Sequence, residues 1–152
     1  MRARVGVISD THGLYRDDID TIFHGVDLII HAGDIGKQHV LNRLRSIAPV
    51  MAIRGNVDHD PWTEQLEYEL FFEKWVTSFF VIHDREQLDI DPGAAGIDVV
   101  IFGHSHKPLI EKKHGVIYIN PGSAGPRRFS LPITVATLKI NRGNLYPEIH
   151  YL

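Results

Sequence analysis

The 152-residue sequence predicts an α/β fold in which two mixed sheets pack face to face beneath outer helices. Three observations predict it. Short runs rich in Val and Ile suit strands buried on both faces. Helix-like segments separate the first three of these runs, which implies parallel, right-handed connections. The second half changes to alternating patterns joined by tight turns, the mark of antiparallel pairing.

The elements follow in order. "RVGVIS" (Arg4 to Ser9), "DLIIHA" (Asp27 to Ala32) and "VMAIR" (Val50 to Arg54) read as buried strands. Between them lie helical segments over Asp17 to His24 and Lys37 to Ala48. The second puts Val40, Leu41, Leu44 and Ile47 on one stripe, and Gly25 and Pro49 punctuate the ends. "LEYEL" (Leu66 to Leu70) alternates like a half-exposed strand, a Glu73-Lys74 turn follows, and "WVTSFFVI" (Trp75 to Ile82) is the next strand. Arg85 to Asp98 reads as a loop with one short helix begun at Pro92. "DVVIF" (Asp98 to Phe102) is another buried strand. "LIEKK" and "VIYIN" flank His114-Gly115, a two-residue hairpin turn. "ITVATLKI" and "LYPEIHY" flank a turn over Asn141 to Asn144. No repeat, linker or low-complexity stretch interrupts the chain, so 1–152 reads as a single domain.

Composition narrows the function. With 43% hydrophobic and 23% charged residues the chain is an ordinary globular one. A net charge of -3 gives no basic footprint for a long nucleic acid. The absence of cysteine removes disulfides, zinc-thiolate sites and a thiol nucleophile, whereas ten histidines supply metal-ligand chemistry. The first apolar run, Val5 to Ile8, is too short for a signal-peptide core or a membrane span. A cytoplasmic protein without a membrane partner is expected.

In open α/β sheets, ligands bind beyond the carboxyl ends of the strands. The donors delivered there are Asp10 and His12, then Asp34 after Gly33, and Asn56 after Gly55. His83 follows the Trp75 to Ile82 run, and His104 and His106 follow Gly103. Singly these are weak signals: Asp-x-His is usually a turn with a solvated histidine, and Gly-Asp and Gly-Asn are common turn chemistry. Recurrence of one donor chemistry at successive strand ends is what turns are not expected to give. Seven donors are too many for one tetrahedral ion and suit two ions sharing a carboxylate. Ligation by N and O alone favours Mn, Fe, Zn, Co or Ni.

"DTHG" (Asp10 to Gly13), "HAGD" (His31 to Asp34), "RGNVD" (Arg54 to Asp58), His83 and "GHSHKP" (Gly103 to Pro108) resemble calcineurin-like metallophosphoesterases. "NPGSAGPRR" (Asn120 to Arg128) is similar to their small bacterial and archaeal phosphodiesterase branch. The resemblance implies a four-layer α/β/β/α sandwich with a two-metal site, with manganese the first expectation. Asp10, His12 and His106 would hold one ion; Asn56, His83 and His104 the other; Asp34 would bridge. Asp34, Asn56 and His83 would be the catalytic core of the set. A hydroxide between ions roughly 3.5–4 Å apart would attack the phosphorus of a small phosphodiester in line. The resemblance also places Asp58 as an orienting residue; His31 is open between that role and a core histidine satisfied by backbone. Amides near Asn120 to Ser123, or Arg127 and Arg128, would grip the rest of the substrate.

Two positions depart from the pattern. Many relatives have histidine where this chain has Val57, and valine can neither contact phosphate nor protonate a leaving group; His59 is a candidate substitute. Where relatives have His-Gly-His, this chain has His83-Asp84-Arg85; Arg85 is either a phosphate clamp or, more commonly, a solvated arginine. The alternative function is a non-catalytic scaffold of the same fold, like a retromer subunit. Homo-oligomerisation is left open by the sequence.

Overall fold

The computed structural model describes residues Met1–Leu152. The first sheet contains β1 (Arg2–Ile8), β2 (Leu28–His31), β3 (Val50–Ala52), β9 (Thr134–Asn141) and β10 (Asn144–Tyr151), in the order β10-β9-β1-β2-β3. The second contains β4 (Glu69–Lys74), β5 (Thr77–Ile82), β6 (Val99–Ile101), β7 (Leu109–Lys113) and β8 (Val116–Asn120), in the order β4-β5-β6-β8-β7. In the first, the parallel strands β1, β2 and β3 run to one edge and the antiparallel β9-β10 pair completes the other side. In the second, parallel β5, β6 and β8 form the middle and the hairpin partners β4 and β7 close the edges antiparallel. Both halves are therefore mixed, although the helix-linked pattern marks only the first.

Period-two alternation sorts the side chains into layers. Val5, Val7, Leu28 and Ile30 of the first sheet meet Phe79, Val81, Val99 and Ile101 of the second in the central core. Their neighbours Ile8 and Ile29 point outward onto α1 (Asp18–Ile22) and α2 (Gln38–Arg45), which bury Ile19, Val40, Leu41 and Leu44 against them. On the far side Phe80, Ile82, Val100 and Tyr118 pack with Leu88 and Ile97 from the Arg85–Asp98 loop. The sandwich thus has its four layers, the last being a loop with a three-residue 3-10 helix at Arg85–Gln87. The turn at Pro92 closes Ala95 N onto the Asp91 carbonyl, yet no helix follows, because Gly93 and Gly96 flank so short a segment.

The largest departure lies between residues 61 and 76. Pro61–Gln65 forms a 3-10 helix, and the strand is Glu69–Lys74 instead of Leu66–Leu70. Lys74 pairs with Thr77, so the hairpin turn is Trp75-Val76, both with positive φ (53° and 58°). Two-residue hairpin turns require that backbone, which Asn and Gly favour. Tryptophan and a β-branched valine do not announce it.

Candidate metal centre

All the predicted donors except one converge where the parallel strands end. β1 leads to Asp10 and His12, β2 to Asp34, β3 to Asn56, β5 to His83 and β6 to His104 and His106. Glycine permits the close approach. A Cβ on Gly55 would collide with the Asp34 carboxylate, and one on Gly103 with the side chains of Ser9 and Asp10. Asp10, His12, Asp34, His104 and His106 all adopt positive φ, between 47° and 71°. Each costs roughly 1–3 kcal/mol, and such strain persists where the surroundings over-determine the geometry.

Asp10 Oδ1 lies at the centre. It faces Nε2 of His106 at 3.4 Å, of His83 at 3.7 Å and of His12 at 3.8 Å, and it is buried without a hydrogen-bond partner. His12 Nε2 and His106 Nδ1 are likewise buried and unpartnered. Asp34 Oδ2 sits 3.1 Å from His83 Nε2 and 3.8 Å from His12 Nε2. The donor atoms of Asp10, His12 and His106, and those of Asp10, Asp34 and His83, each lie within 4.8 Å of one another. Asp10 therefore belongs to both groups, so the reach expected of Asp34 alone is shared by two carboxylates.

His83 has a defined tautomer. Its Nδ1–H donates to the Ala32 carbonyl at 2.7 Å, which turns Nε2 toward Asp34. The Asn56 amide completes the crowd: the group it presents lies 3.2 Å from both His83 Nε2 and Asp34 Oδ2. As an oxygen it faces only acceptors, an arrangement relieved by turning the amide or by a cation between them. The residues present thus fit divalent ions: carboxylate and imidazole atoms face shared space, and Asp10 Oδ1 and His12 Nε2 are buried there without hydrogen-bond partners.

His104 is the exception. Its ring lies edge-on to His83 at 5.3 Å, but its Nε2 faces Asp84 at 3.8 Å and its side chain is 46% exposed. Only its backbone joins the site, donating N–H to Asp10 Oδ2 at 3.1 Å.

Protonation follows from these contacts. Burial opposes charge on His83, but the Asp34 hydrogen bond and the charges of Asp10 and Asp34 outweigh it and raise its pKa to about 9. Burial likewise opposes charge on Asp34, yet His83 and the Val57 N–H hold its pKa below the usual carboxylate range. Burial lowers His12 despite both carboxylates.

The supporting residues of "RGNVD" hold the loops in place. Asp58 is 2% exposed, and its carboxylate accepts N–H from Gly55 (2.9 Å), Ile35 (3.1 Å) and Gly36 (3.1 Å). It clamps the loop carrying Asp34 to the loop carrying Asn56. Val57 contributes its backbone, donating N–H to Asp34 Oδ1 at 3.1 Å. His31 accepts from Gly33 N–H at Nδ1 (3.1 Å), so Nε2 carries the hydrogen and donates to Thr11 Oγ1 (3.0 Å), which donates to the Ile35 carbonyl. It is a fully satisfied neutral core histidine, with its pKa lowered to about 4 by burial.

Several expected substrate contacts are corrected. The amides of Gly122, Ala124 and Gly125 are occupied by Asn120 Oδ1, the Ser9 carbonyl and Ser123 Oγ, so this segment braces the Asp10 loop. Arg85, its side chain 31% exposed, pairs with Glu111 at 2.8 Å and stacks 4.3 Å over Tyr118. Arg127 donates to the Leu131 carbonyl, whereas Arg128 has its charge felt at His12. His59 is exposed. Residues that sequence reasoning missed are Ser9, whose hydroxyl donates to Asp10 Oδ2 at 2.7 Å, and Asp84, which lines cavities on either side of His104. Ser9 is adjacent to Asp10, but a serine beside an aspartate carries no distinguishing signal.

A family model described as the calcineurin-like phosphoesterase superfamily domain matches residues 3–143. The chain belongs to that superfamily. It is 35% identical over 159 residues to a probable metallophosphoesterase of Methanothermobacter thermautotrophicus, covering 95% of this chain and 90% of that protein. It is 29% identical to a phosphodiesterase of Methanocaldococcus jannaschii, over 78% of this chain and 82% of that protein. Among solved structures, a novel archaeal phosphodiesterase superposes with a TM-score of 0.77 at 24% identity, covering 97% of this chain and 99% of that one. Vps29 of Entamoeba histolytica complexed with zinc superposes with a TM-score of 0.76 at 22% identity, covering 97% and 98%. At these identities the two structures share the fold. For this calcineurin-like phosphoesterase chain, the family and the clustered donors together identify a metal-binding hydrolase of the phosphoesterase class.

Proposed function

We propose that the chain is a phosphodiesterase that works with two divalent metal ions, manganese first among the candidates. The carrying observation is Asp10 Oδ1, a buried carboxylate oxygen with three imidazole nitrogens at 3.4–3.8 Å and no donor. When bound, the ions supply a water of lowered pKa as nucleophile and neutralise charge on the phosphate. Asp10, His12 and His106 would hold one of them, and Asn56, His83 and His104 the other, with Asp34 serving both. For His104 this requires its ring to leave Asp84.

The chain's own residues do the positioning. Val57 N–H fixes one oxygen of Asp34 and leaves the other facing His83 and His12. Ser9 and the His104 amide fix Asp10 Oδ2 in the same way, leaving Oδ1 for the shared space. Ala32 sets the His83 tautomer. The substrate is a small phosphodiester, since the cavity beside Asn56 and His83 measures about 490 Å³.

The Vps29 likeness favours a protein-binding scaffold as the second reading, because it covers nearly the whole chain. Crowded, unpartnered acceptors are costly for a mere scaffold, which favours catalysis. The test is metal content after reconstitution, then turnover of bis(p-nitrophenyl) phosphate with and without Mn, Fe, Zn, Co or Ni. Metal-dependent turnover is expected. No turnover with two ions bound would leave the scaffold reading.

A further inference from the structure

The cavity beside Asn56 and His83 has an arginine on its wall. Arg54 also lines it, as does Tyr68, and the Arg54 guanidinium lies 4.2 Å over the Tyr68 ring. Of the other arginines, Arg43 is paired with Asp17 and Asp20, Arg85 with Glu111, and Arg16 is bonded to the carbonyls of Ala124 and Gly125, while Arg128 acts on His12 from outside this cavity's lining. Arg54 forms no ion pair within 4.0 Å, and its Nε is buried with no partner. The local backbone is fixed: Arg54 N–H donates to the Glu67 carbonyl at 3.0 Å, and Ile53 bridges Glu67. Tyr68 is thereby held beside the arginine while remaining 58% exposed.

A stacked guanidinium keeps its edge N–H groups for a planar or tetrahedral anion. We propose that Arg54, oriented by Tyr68, binds a non-bridging oxygen of the scissile phosphate, and that Tyr68 offers ring surface to the substrate's ester arm. The inference rests on the phosphodiesterase reading. The substrate class is a phosphodiester with a flat or apolar arm. Charge favours this role: Glu69 and Asp84 line the cavity, Asp10 and Asp34 lie in the neighbouring donor cluster, and Arg54 is the one lysine or arginine in the lining.

The test uses full-length, metal-loaded protein and the variants Arg54→Ala, Arg54→Lys, Tyr68→Leu and Tyr68→Phe. KM and kcat are measured on bis(p-nitrophenyl) phosphate, and Kd for inorganic phosphate by calorimetry, which needs no turnover. Arg54→Ala should raise KM and phosphate Kd about tenfold or more, with a smaller fall in kcat and unchanged metal content. Arg54→Lys should recover part of the loss. Tyr68→Leu should weaken phosphate binding about two- to fivefold without removing a charge, and Tyr68→Phe should recover it. If Arg54→Ala does not fold, the lysine and Tyr68 variants decide. Unchanged KM and Kd in folded variants, with wild-type turnover intact, overturn the subsite and leave the phosphodiesterase reading standing. Arg54-dependent phosphate binding by a wild-type protein that cleaves no diester supports the subsite and overturns the phosphodiesterase reading.

Discussion

Replacing Asp58 should loosen the metal centre without touching a ligand. Its carboxylate accepts three backbone N–H groups, at 2.9, 3.1 and 3.1 Å, from the two loops that carry Asn56 and Asp34. In Asp58→Asn the carbonyl oxygen can take the place of Oδ2 and keep Gly55 and Ile35. The amide nitrogen then points at the Gly36 N–H, donor against donor. One charge-assisted bond is lost, worth about 1.5–3 kcal/mol, and two become neutral ones at roughly half the strength. The expected destabilisation is about 3–6 kcal/mol. Asp58→Ala leaves all three N–H groups without their acceptor, two of them buried, and should cost about 5–9 kcal/mol, enough to threaten a domain of ordinary stability. The asparagine variant is therefore the informative one. Urea denaturation of metal-free protein gives the stability change, and calorimetry gives metal affinity. Residues that orient ligands typically cost about 10–100-fold in affinity when replaced. An asparagine variant within 0.5 kcal/mol of wild type (about the scatter of surface substitutions), with unaltered metal affinity, would refute the clamp.

Four further outcomes are expected. Asp34→Asn should weaken metal binding at both positions, since Asp34 Oδ2 faces His83 and His12 together; elemental analysis finding two ions retained would count against sharing. His31 has a pKa of about 4 folded against 6.5 unfolded, so its contribution is present above pH 6.5 and lost as pH falls toward 4, about 3 kcal/mol in all; denaturation at pH 7 and pH 5 should show a steeper loss for wild type than for His31→Asn, and equal slopes would contradict it. Val76→Gly should stabilise by about 1 kcal/mol, raising Tm by about 2–4 °C, because Val76 is 79% exposed at φ 58° and loses little burial. Val57→His should help poor leaving groups most, a positioned acid contributing about 10²–10⁴ in rate; a leaving-group series with an unaltered slope, and the imidazole shown facing the site, would rule that out.

Much of this was legible because burial and donor chemistry both leave periodic traces. The buried parallel strands show as Val/Ile runs, and the donors fall one to five residues beyond their ends. The Asp58 clamp could be anticipated from "RGNVD", but its partners, three backbone amides from two loops, have no side-chain signature. The Trp75-Val76 turn was illegible because tertiary pairing of β4 with β5 imposed a backbone its residues disfavour. Asn120 to Gly125 misled for the opposite reason. Glycine and small residues that suit anion binding equally suit a tight brace, and here the amides are bonded to Asn120, Ser9 and Ser123.

Two kinds of cost meet at the same end of the sheets. Five donor residues have left-handed backbone, and Asp10 Oδ1, His12 Nε2 and His106 Nδ1 are buried without partners. Neither cost is offset by the donors themselves. What offsets them is a surrounding set that has no ligand role: Asp58 across two loops, Ser9 on Asp10, Ser123 Oγ on the Asp10 carbonyl, and the His31–Thr11–Ile35 chain beneath. These bonds over-determine the loops, so the donors cannot relax into ordinary turns or find new partners. A cation that binds the native cluster and not the unfolded chain then stabilises the fold as well, by about 2.7 kcal/mol at a hundredfold excess over Kd. Folding stability and metal affinity should therefore respond together to changes in the supporting residues. Loss of a ligand instead removes metal affinity while relieving some of the crowding, so metal-free stability should fall less or even rise.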